Sequence, residues 1–363
     1  MTIPMLDVKA LHAPLREALQ STFAEVLDSG MFINGPYLDR FESSLTESLG
    51  RPALGVSSGS DALIIALMAL GVQPGDEIIT TPFTFFATVG AIRRLGATPV
   101  FADIDPHTFN LDPSAVEAVI GPKTVGILPV SLFGQTADLA AFEALAQAHG
   151  LWLVEDAAQS IGAAQGGRPS GTFGTMGTFS FFPAKNLGAL GDGGAVVCQD
   201  EAMRETLRIL RNHGGATMYH YEKIGGNFRL DALQAAFLST KLPHLAQWET
   251  QRRQNASLYD ARFAALPGIK TPVVGPGCHH VYNQYVLRFT DGSRDQAQAQ
   301  LKEQGVASAI YYPLCLHLQT CFADLGGKEG DFPQAERASR EVLAIPVLTD
   351  RPEEVIKAVE ATR

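Results

Sequence analysis

A lysine at the end of an apolar run is the first group able to do chemistry. In Ser180-Phe181-Phe182-Pro183-Ala184-Lys185-Asn186 the amine of Lys185 follows directly on that run, and a lysine whose pKa is lowered by desolvation can form Schiff bases. Glu155-Asp156-Ala157-Ala158-Gln159 follows the apolar stretch LWLV. Acids at the carboxyl end of a parallel strand point into the crevice where open α/β sheets bind ligands. Asp156 is placed there to face a cationic group, with Gln159 able to hydrogen-bond nearby. In Ser57-Ser58-Gly59-Ser60-Asp61-Ala62-Leu63 a hydroxyl- and glycine-rich turn opens into an apolar helix. Its free amides and helix dipole suit a phosphate, and Ser60 adds a hydroxyl donor. Phe85, in TPFTFFAT, offers an aromatic face for stacking on a planar ring. Each segment also has a plainer reading: a solvated lysine, a helix-capping aspartate, a simple N-cap and a core phenylalanine.

Together the four describe one ligand. A phosphate at Ser60, a ring face on Phe85, a carboxylate at Asp156 and an amine at Lys185 match the needs of pyridoxal phosphate. Its pyridinium nitrogen needs an acid so that the ring can act as an electron sink, and its aldehyde needs a lysine.

The elements that must position these groups alternate along the chain. Asp61 to Leu70, Thr84 to Leu95 and Leu139 to His149 read as helices; Glu77 to Thr81, Pro99 to Ile104, Val125 to Val130 and Leu151 to Glu155 read as strands. Such alternation predicts an α/β fold with a mostly parallel sheet and helices on both faces. Short β-rich runs from Thr178 to Val197, broken by a glycine-rich stretch, precede a long helical region from about Leu230 to Leu266. The tail reads as strand Tyr285 to Phe289, helix Arg294 to Gln304, strand Ser308 to Tyr312 and two later helices. These runs suggest a large domain over residues 1–245, including an N-terminal arm, and a smaller α+β domain over residues 246–363.

Composition narrows the partners. With 28 Lys and Arg against 38 Asp and Glu, the 363-residue chain carries a net charge of −10, which argues against a nucleic-acid or anionic-membrane surface. Cys198, Cys278, Cys315 and Cys321 show no zinc-like spacing, so neither a disulfide scaffold nor a bound metal is expected, and the thiols should be mostly buried. No apolar stretch spans a bilayer and no signal-like start is present, which points to the cytoplasm.

The motifs GPYLDRFE, SSGSDAL, TPFTFFAT, PVFADIDP, EDAAQS, SFFPAKNLGALGDGGA, GGNFRLDALQAA, YYPLCLHLQ and GDFPQAERASREVLAIP resemble the DegT/DnrJ/EryC/StrS family over nearly the whole chain. These are fold type I pyridoxal-phosphate enzymes that aminate nucleotide-linked keto-sugars. The resemblance implies that Lys185 holds the cofactor and shuttles a proton, Asp156 pairs with the pyridine nitrogen and Gln159 contacts the ring hydroxyl. Gly59, Ser60, Asp61 and Ser180 would hold the phosphate, and Phe85 would stack on the ring. Asn227 would reach the phosphate held by a neighbouring subunit, so the family pattern implies a homodimer with shared active sites. Arg229, Tyr311, Tyr312 and His317 resemble residues lining the sugar-nucleotide pocket. Their plainer readings are an ion pair, tyrosines capping a core and a satisfied core histidine.

Ser60 stands where the family more often has threonine, which keeps the hydroxyl. FFPAKNLGALGDGGA resembles the branch that aminates the sugar at C3, including UDP-2-acetamido-2-deoxy-3-oxo-glucuronate and dTDP-3-oxo-6-deoxyhexose aminotransferases. L-Glutamate is the amino donor that the family implies. The alternatives are amination at C4, a dehydratase, against which Lys185 argues because those enzymes generally carry histidine there, and a non-catalytic regulatory protein of the same fold.

Overall fold

The computed structural model describes residues 2–363. Seven strands form the central sheet, in the spatial order Ala53–Val56, Gly194–Cys198, Met176–Ser180, Trp152–Asp156, Thr124–Ile127, Glu77–Thr80 and Thr98–Phe101. Only Gly194–Cys198 runs against its neighbours. The other pairings, from Met176–Ser180 outward, are parallel.

Both faces of this sheet are covered, as period-two alternation in each strand requires. Ile78, Leu128, Val154 and Val196 pack into one core with the helices Gly59–Ala69, Phe86–Arg94 and Glu201–Arg211. Their immediate neighbours Ile79, Ile127 and Leu153 pack into another with the helix Leu139–His149. Val197, Ala195 and Phe179 face a third, built on the helices Pro36–Leu49 and Ala232–Lys241. The expected helices and strands of this region are present, with ends moved by one to a few residues.

The long helical region expected from Leu230 is divided. Ala232–Lys241 gives way to a single 3-10 turn, Leu242–His244, and then to Leu245–Phe263. Pro243, lacking an amide proton, sits in that turn. The second helix sends Ala256, Tyr259 and Phe263 into a separate core with Tyr285, Leu287 and Phe289. That core belongs to the three-stranded sheet Ile269–Lys270, Tyr285–Phe289 and Val342–Ile345, which is antiparallel throughout. The chain's first residues join it: Ile3 pairs with Val306.

Two expectations for the tail need correction. Ser308 to Tyr312 is not a strand but an irregular segment with one bridge, from Ala309 to Ala344. The strand is Val342–Ile345 instead, and Ser308 to Tyr312 runs past it toward Pro313, which has no amide proton to offer a ladder. All four cysteines are free, and only Cys198 and Cys315 are buried; Cys278 is half-buried and Cys321 exposed. No helix among the described residues is long and apolar enough to cross a membrane.

Candidate active site

The strand Trp152–Asp156 ends on the carboxylate that alternation turns toward the crevice. Asp156 is 4% exposed. Its Oδ2 accepts a hydrogen bond from the Thr88 hydroxyl at 2.8 Å and its Oδ1 one from the Ala158 amide at 3.1 Å. Thr88 is in turn 3.2 Å from Thr84 Oγ1, one helical turn back. Since Thr88 spends its proton on Asp156, Thr84 donates to Thr88. Burial pushes the Asp156 carboxyl above the ordinary carboxylate range, against the pull of Thr88, the Ala158 amide and Lys185. Burial also pushes the Lys185 amine down, to about 8, and the charge of Asp156 works in the opposite direction. The two groups thus feel each other across one crevice, and each is held nearer its neutral form by lost solvation.

Glu155 faces the other way. It accepts hydrogen bonds from the hydroxyls of Ser131 and Ser170 and from the Gly171 amide. It fastens the turn before the strand Met176–Ser180 and does not meet the crevice.

The Ser57–Asp61 turn is a cradle whose size depends on missing side chains. Ser58 caps the helix Gly59–Ala69 by accepting from the Asp61 amide at 3.1 Å, and the first amides of a helix have no carbonyl partner within it. A Cβ on Gly59 would stand 2.6 Å from Ser180 Cβ, and one on Gly194 would stand 2.5 Å from the Ser58 carbonyl carbon. Only glycine lets this turn approach the end of the strand Met176–Ser180 so closely. Ser60 is exposed and Ser180 half-buried, so hydroxyls and free amides share the rim. Asp61 accepts from the Ser57 hydroxyl at 2.6 Å. This donor set fits a phosphate.

A cavity of about 500 Å³ adjoins the cradle, lined by Ser57, Ser58, Asp61, Asn227 and Arg229 among others. The segment carrying Asn227 and Arg229 reaches it by running along the sheet edge: the Ser57 amide donates to the Phe228 carbonyl at 2.9 Å, and Arg229 bridges to Val56. Both residues therefore lie beside the cradle of their own chain.

Gln159 is buried and fully oriented. Its Oε1 accepts from the Phe133 amide at 2.7 Å, and its Nε2 donates to the Tyr312 hydroxyl at 3.0 Å. Tyr312 packs edge-on against Phe83, ring centres 5.9 Å apart, with Tyr311 at 6.0 Å. Phe85 lies outside the core: it is 58% exposed and stands at the N-cap of the helix Phe86–Arg94. Phe182, near Lys185 in sequence, is 54% exposed.

The structure does not bring His317 to the crevice wall. Its side chain is fully buried between Phe101 and Phe332, with Nε2 3.2 Å from Glu336 Oε1. Its Nε2 has Glu336 for a partner, while its buried Nδ1 has none among the described residues.

Sequence reasoning missed Thr88 and the link from Gln159 to Tyr312. A spacing of four between Thr84 and Thr88, beside an expected strand end, was the available signal for the first. The second joins segments far apart in the chain and left no local signal.

Known proteins resemble this chain over nearly its whole length. The model of the DegT/DnrJ/EryC1/StrS aminotransferase family matches residues 14–362. A "pleiotropic regulatory protein" of Geobacillus stearothermophilus is 48% identical, over 98% of this chain and 95% of the relative. A UDP-N-acetyl-3-dehydro-alpha-D-glucosamine 3-aminotransferase of Acidithiobacillus ferrooxidans is 42% identical, over 98% of this chain and 96% of its own. The crystal structure of S. venezuelae DesV in complex with a ketimine intermediate superposes with a TM-score of 0.96 at 41% identity, covering 100% of this chain and 99% of that one. The chain belongs to the DegT/DnrJ/EryC1/StrS aminotransferase family.

Proposed function

We propose that this chain is a pyridoxal-phosphate-dependent aminotransferase that transfers an amino group from L-glutamate to C3 of a nucleotide-linked 3-keto-sugar, in amino-sugar biosynthesis for a surface polysaccharide or a glycosylated metabolite. The observation that carries this reading is the buried Asp156 carboxylate, held by Thr88 and the Ala158 amide, on the strand paired with the one whose end, Ser180, closes the Gly59 cradle, with the 3-aminotransferase relative supplying the sugar position.

When bound, the cofactor supplies an electron sink that lets a proton leave a carbon next to nitrogen. The protein's own part is to bind, orient and move that proton. Gly59, Ser60 and Ser180 would hold the phosphate, and Phe85 would cover one face of the ring. Asp156 would keep the ring nitrogen protonated; its bonds from Thr88 and Ala158 hold the carboxylate in place for that. Lys185 would carry the cofactor and, once displaced by the amino donor, take a proton from the donor's α-carbon and return it at the cofactor's reactive carbon. An amine near pKa 8 serves both as acceptor and as donor close to neutrality.

A second copy of the chain would cover exposed apolar residues, one of which, Ile33, lines the cavity beside the cradle. Met31, Phe32 and Ile33 form one exposed apolar run, and Phe182, Met218, Tyr219 and Ile224 are exposed as well. A homodimer covering such residues is our reading of the assembly, with Asn227 at the edge of its own chain's cradle, where a partner's phosphate could approach it, and Arg229 left to meet the substrate's anionic part. With glutamate and a nucleotide sugar as its substrates, the reaction we propose would run in the cytoplasm.

The regulatory reading has the name of the 48% identical relative in its favour. It gives no reason for an amine and a carboxylate to share a desolvated crevice beside a glycine cradle. The testing experiment is a panel of UDP- and dTDP-linked 3-oxo and 4-oxo sugars with L-glutamate, the product regiochemistry read by NMR. Amination at C3 is expected; amination only at C4 overturns the branch, and no amination of any member supports the regulatory alternative.

A further inference from the structure

One hydrogen-bond chain in the crevice has its polarity set at its origin. A backbone amide can only donate, and that of Phe133 donates to Gln159 Oε1 at 2.7 Å. The side-chain amide of Gln159 is therefore not free to flip. Its nitrogen end meets the Tyr312 hydroxyl at 3.0 Å, so the phenol oxygen is the acceptor there. Having accepted, Tyr312 must send its own proton elsewhere, and this is the one hydrogen bond its hydroxyl makes among the described residues. Burial, with the nearby charge of Asp156, keeps the phenol protonated far above neutral pH. Tyr312 is thus an unspent donor beside Asp156.

The origin of the chain is itself clamped. Phe133 and Gly134 have φ of 58° and 103°, left-handed backbone that must be held from outside when a phenylalanine occupies it. The holder is the segment that enters the small-domain strand Tyr285–Phe289. The Val281 amide donates to the Gly134 carbonyl at 2.8 Å and the Gln284 amide to that of Phe133 at 3.2 Å. A Cβ on Gly134 would lie 2.6 Å from the Asn283 nitrogen, so the two segments touch backbone to backbone.

We infer that Tyr312 is a second hydrogen-bond donor to the cofactor's ring oxygen, beside Gln159, rather than a contact to the sugar, and that the Phe133–Gly134 turn is the positioning element that aims both. This rests on the pyridoxal-phosphate reading given above. Two adjacent donors, the remaining Nε2 proton of Gln159 and the Tyr312 hydroxyl, their heavy atoms 3.0 Å apart, suit an acceptor that is anionic and lies in a ring plane, as the phenolate oxygen of pyridoxal phosphate does. A sugar hydroxyl could accept from both, but it is neutral, so the pair would gain little there, whereas a phenolate makes both bonds charge-assisted.

The test is a cycle of two proteins and two cofactors, with no sugar present. Wild type and Tyr312→Phe are titrated with pyridoxal phosphate and with its 3-deoxy analogue, which lacks the ring oxygen, and affinity is read by quenching of intrinsic fluorescence. Tyr312→Phe should weaken pyridoxal phosphate by about tenfold and the analogue hardly at all, a coupling that the cycle isolates. The visible band of cofactor on Lys185 should also titrate about one pH unit higher in the variant, because a less stabilised ring anion holds the shared proton more tightly. Equal losses for both cofactors, or an unmoved band, overturn the inference and return Tyr312 to the sugar pocket. Wild type that takes up neither cofactor fails the parent reading instead. If circular dichroism finds Tyr312→Phe unfolded, 3-fluorotyrosine in place of Tyr312 donates more strongly and should move the band to lower pH; no movement overturns the inference.

Discussion

Thr88 donates its hydroxyl proton to Asp156 Oδ2 at 2.8 Å, across the gap between the helix Phe86–Arg94 and the end of the strand Trp152–Asp156. That bond favours the ionised carboxylate, in a place where burial works against it. A hydrogen bond to a charged group contributes about 1.5–3 kcal/mol. Thr88→Val should therefore lower kcat/KM by roughly 10- to 150-fold, while Thr88→Ser, which keeps the hydroxyl, should stay within a few-fold of wild type. Equal activity in both variants would show that Asp156 needs no such support.

The cradle at Gly59 is tested by adding one methyl group. In Gly59→Ala the new Cβ has to displace Ser180, whose Cβ is 2.6 Å away and whose Cα is 3.1 Å away. Overpacking of this kind costs about 1–3 kcal/mol. The loss should appear as weaker cofactor binding in an equilibrium titration, with the far-ultraviolet spectrum unchanged. An affinity equal to wild type would remove the cradle from the phosphate site.

Lys185 gives the cofactor-free protein a pH signature. Its amine titrates near 8 in the folded chain against an ordinary lysine value of 10.5. Between those values the unfolded chain binds more protons than the folded one, so this residue makes stability rise with pH through that window. Lys185→Met should flatten the rise in denaturant midpoint between pH 8 and 10.5. The same depression should give the rate of cofactor capture a midpoint near pH 8, since the neutral amine is the nucleophile. A capture rate still climbing toward pH 10 contradicts the assignment.

Away from the crevice, a buried ion pair sets the strand that leads into the cradle. Glu42 and Arg211 are 3% and 5% exposed. Glu42 also accepts from the Gly55 amide at 2.8 Å, and Arg211 donates to the Gly55 carbonyl at 2.9 Å. Arg211→Met leaves the carboxylate buried, which typically costs 3–5 kcal/mol. Arg204 still reaches Glu42 at 3.3 Å, so the low end, about 3 kcal/mol, is expected from denaturant unfolding.

Much of this arrangement could be read from local patterns. Asp156 follows an apolar strand, Lys185 an apolar run and Ser58 precedes an apolar helix, and each signal lies within a few residues of the group it marks. The parallel sheet followed from alternating strands and helices for the same reason. What escaped was set by contacts distant in sequence. Ser308 to Tyr312 has the apolar and aromatic composition of a strand, yet Val342–Ile345 takes that place in the small sheet. His317 entered as a pocket residue through family resemblance, and nothing in YYPLCLHLQ foretells that Glu336 and two aromatic rings enclose it. The orientation of Gln159 depends on a backbone amide at Phe133 and a hydroxyl at Tyr312, and neither announces itself in EDAAQ.

The central claim is that Lys185 and Asp156 form the working centre of an amino-transferring crevice. It is tested most directly by following the visible absorbance of the cofactor-loaded protein through one half-reaction and back. L-Glutamate should bleach the band, and a UDP-linked 3-oxo sugar added after removal of glutamate should restore it with release of one equivalent of 3-amino sugar, while Lys185→Ala completes neither step. A band that glutamate leaves untouched, or a Lys185→Ala protein that turns over at a near-normal rate, would contradict the account.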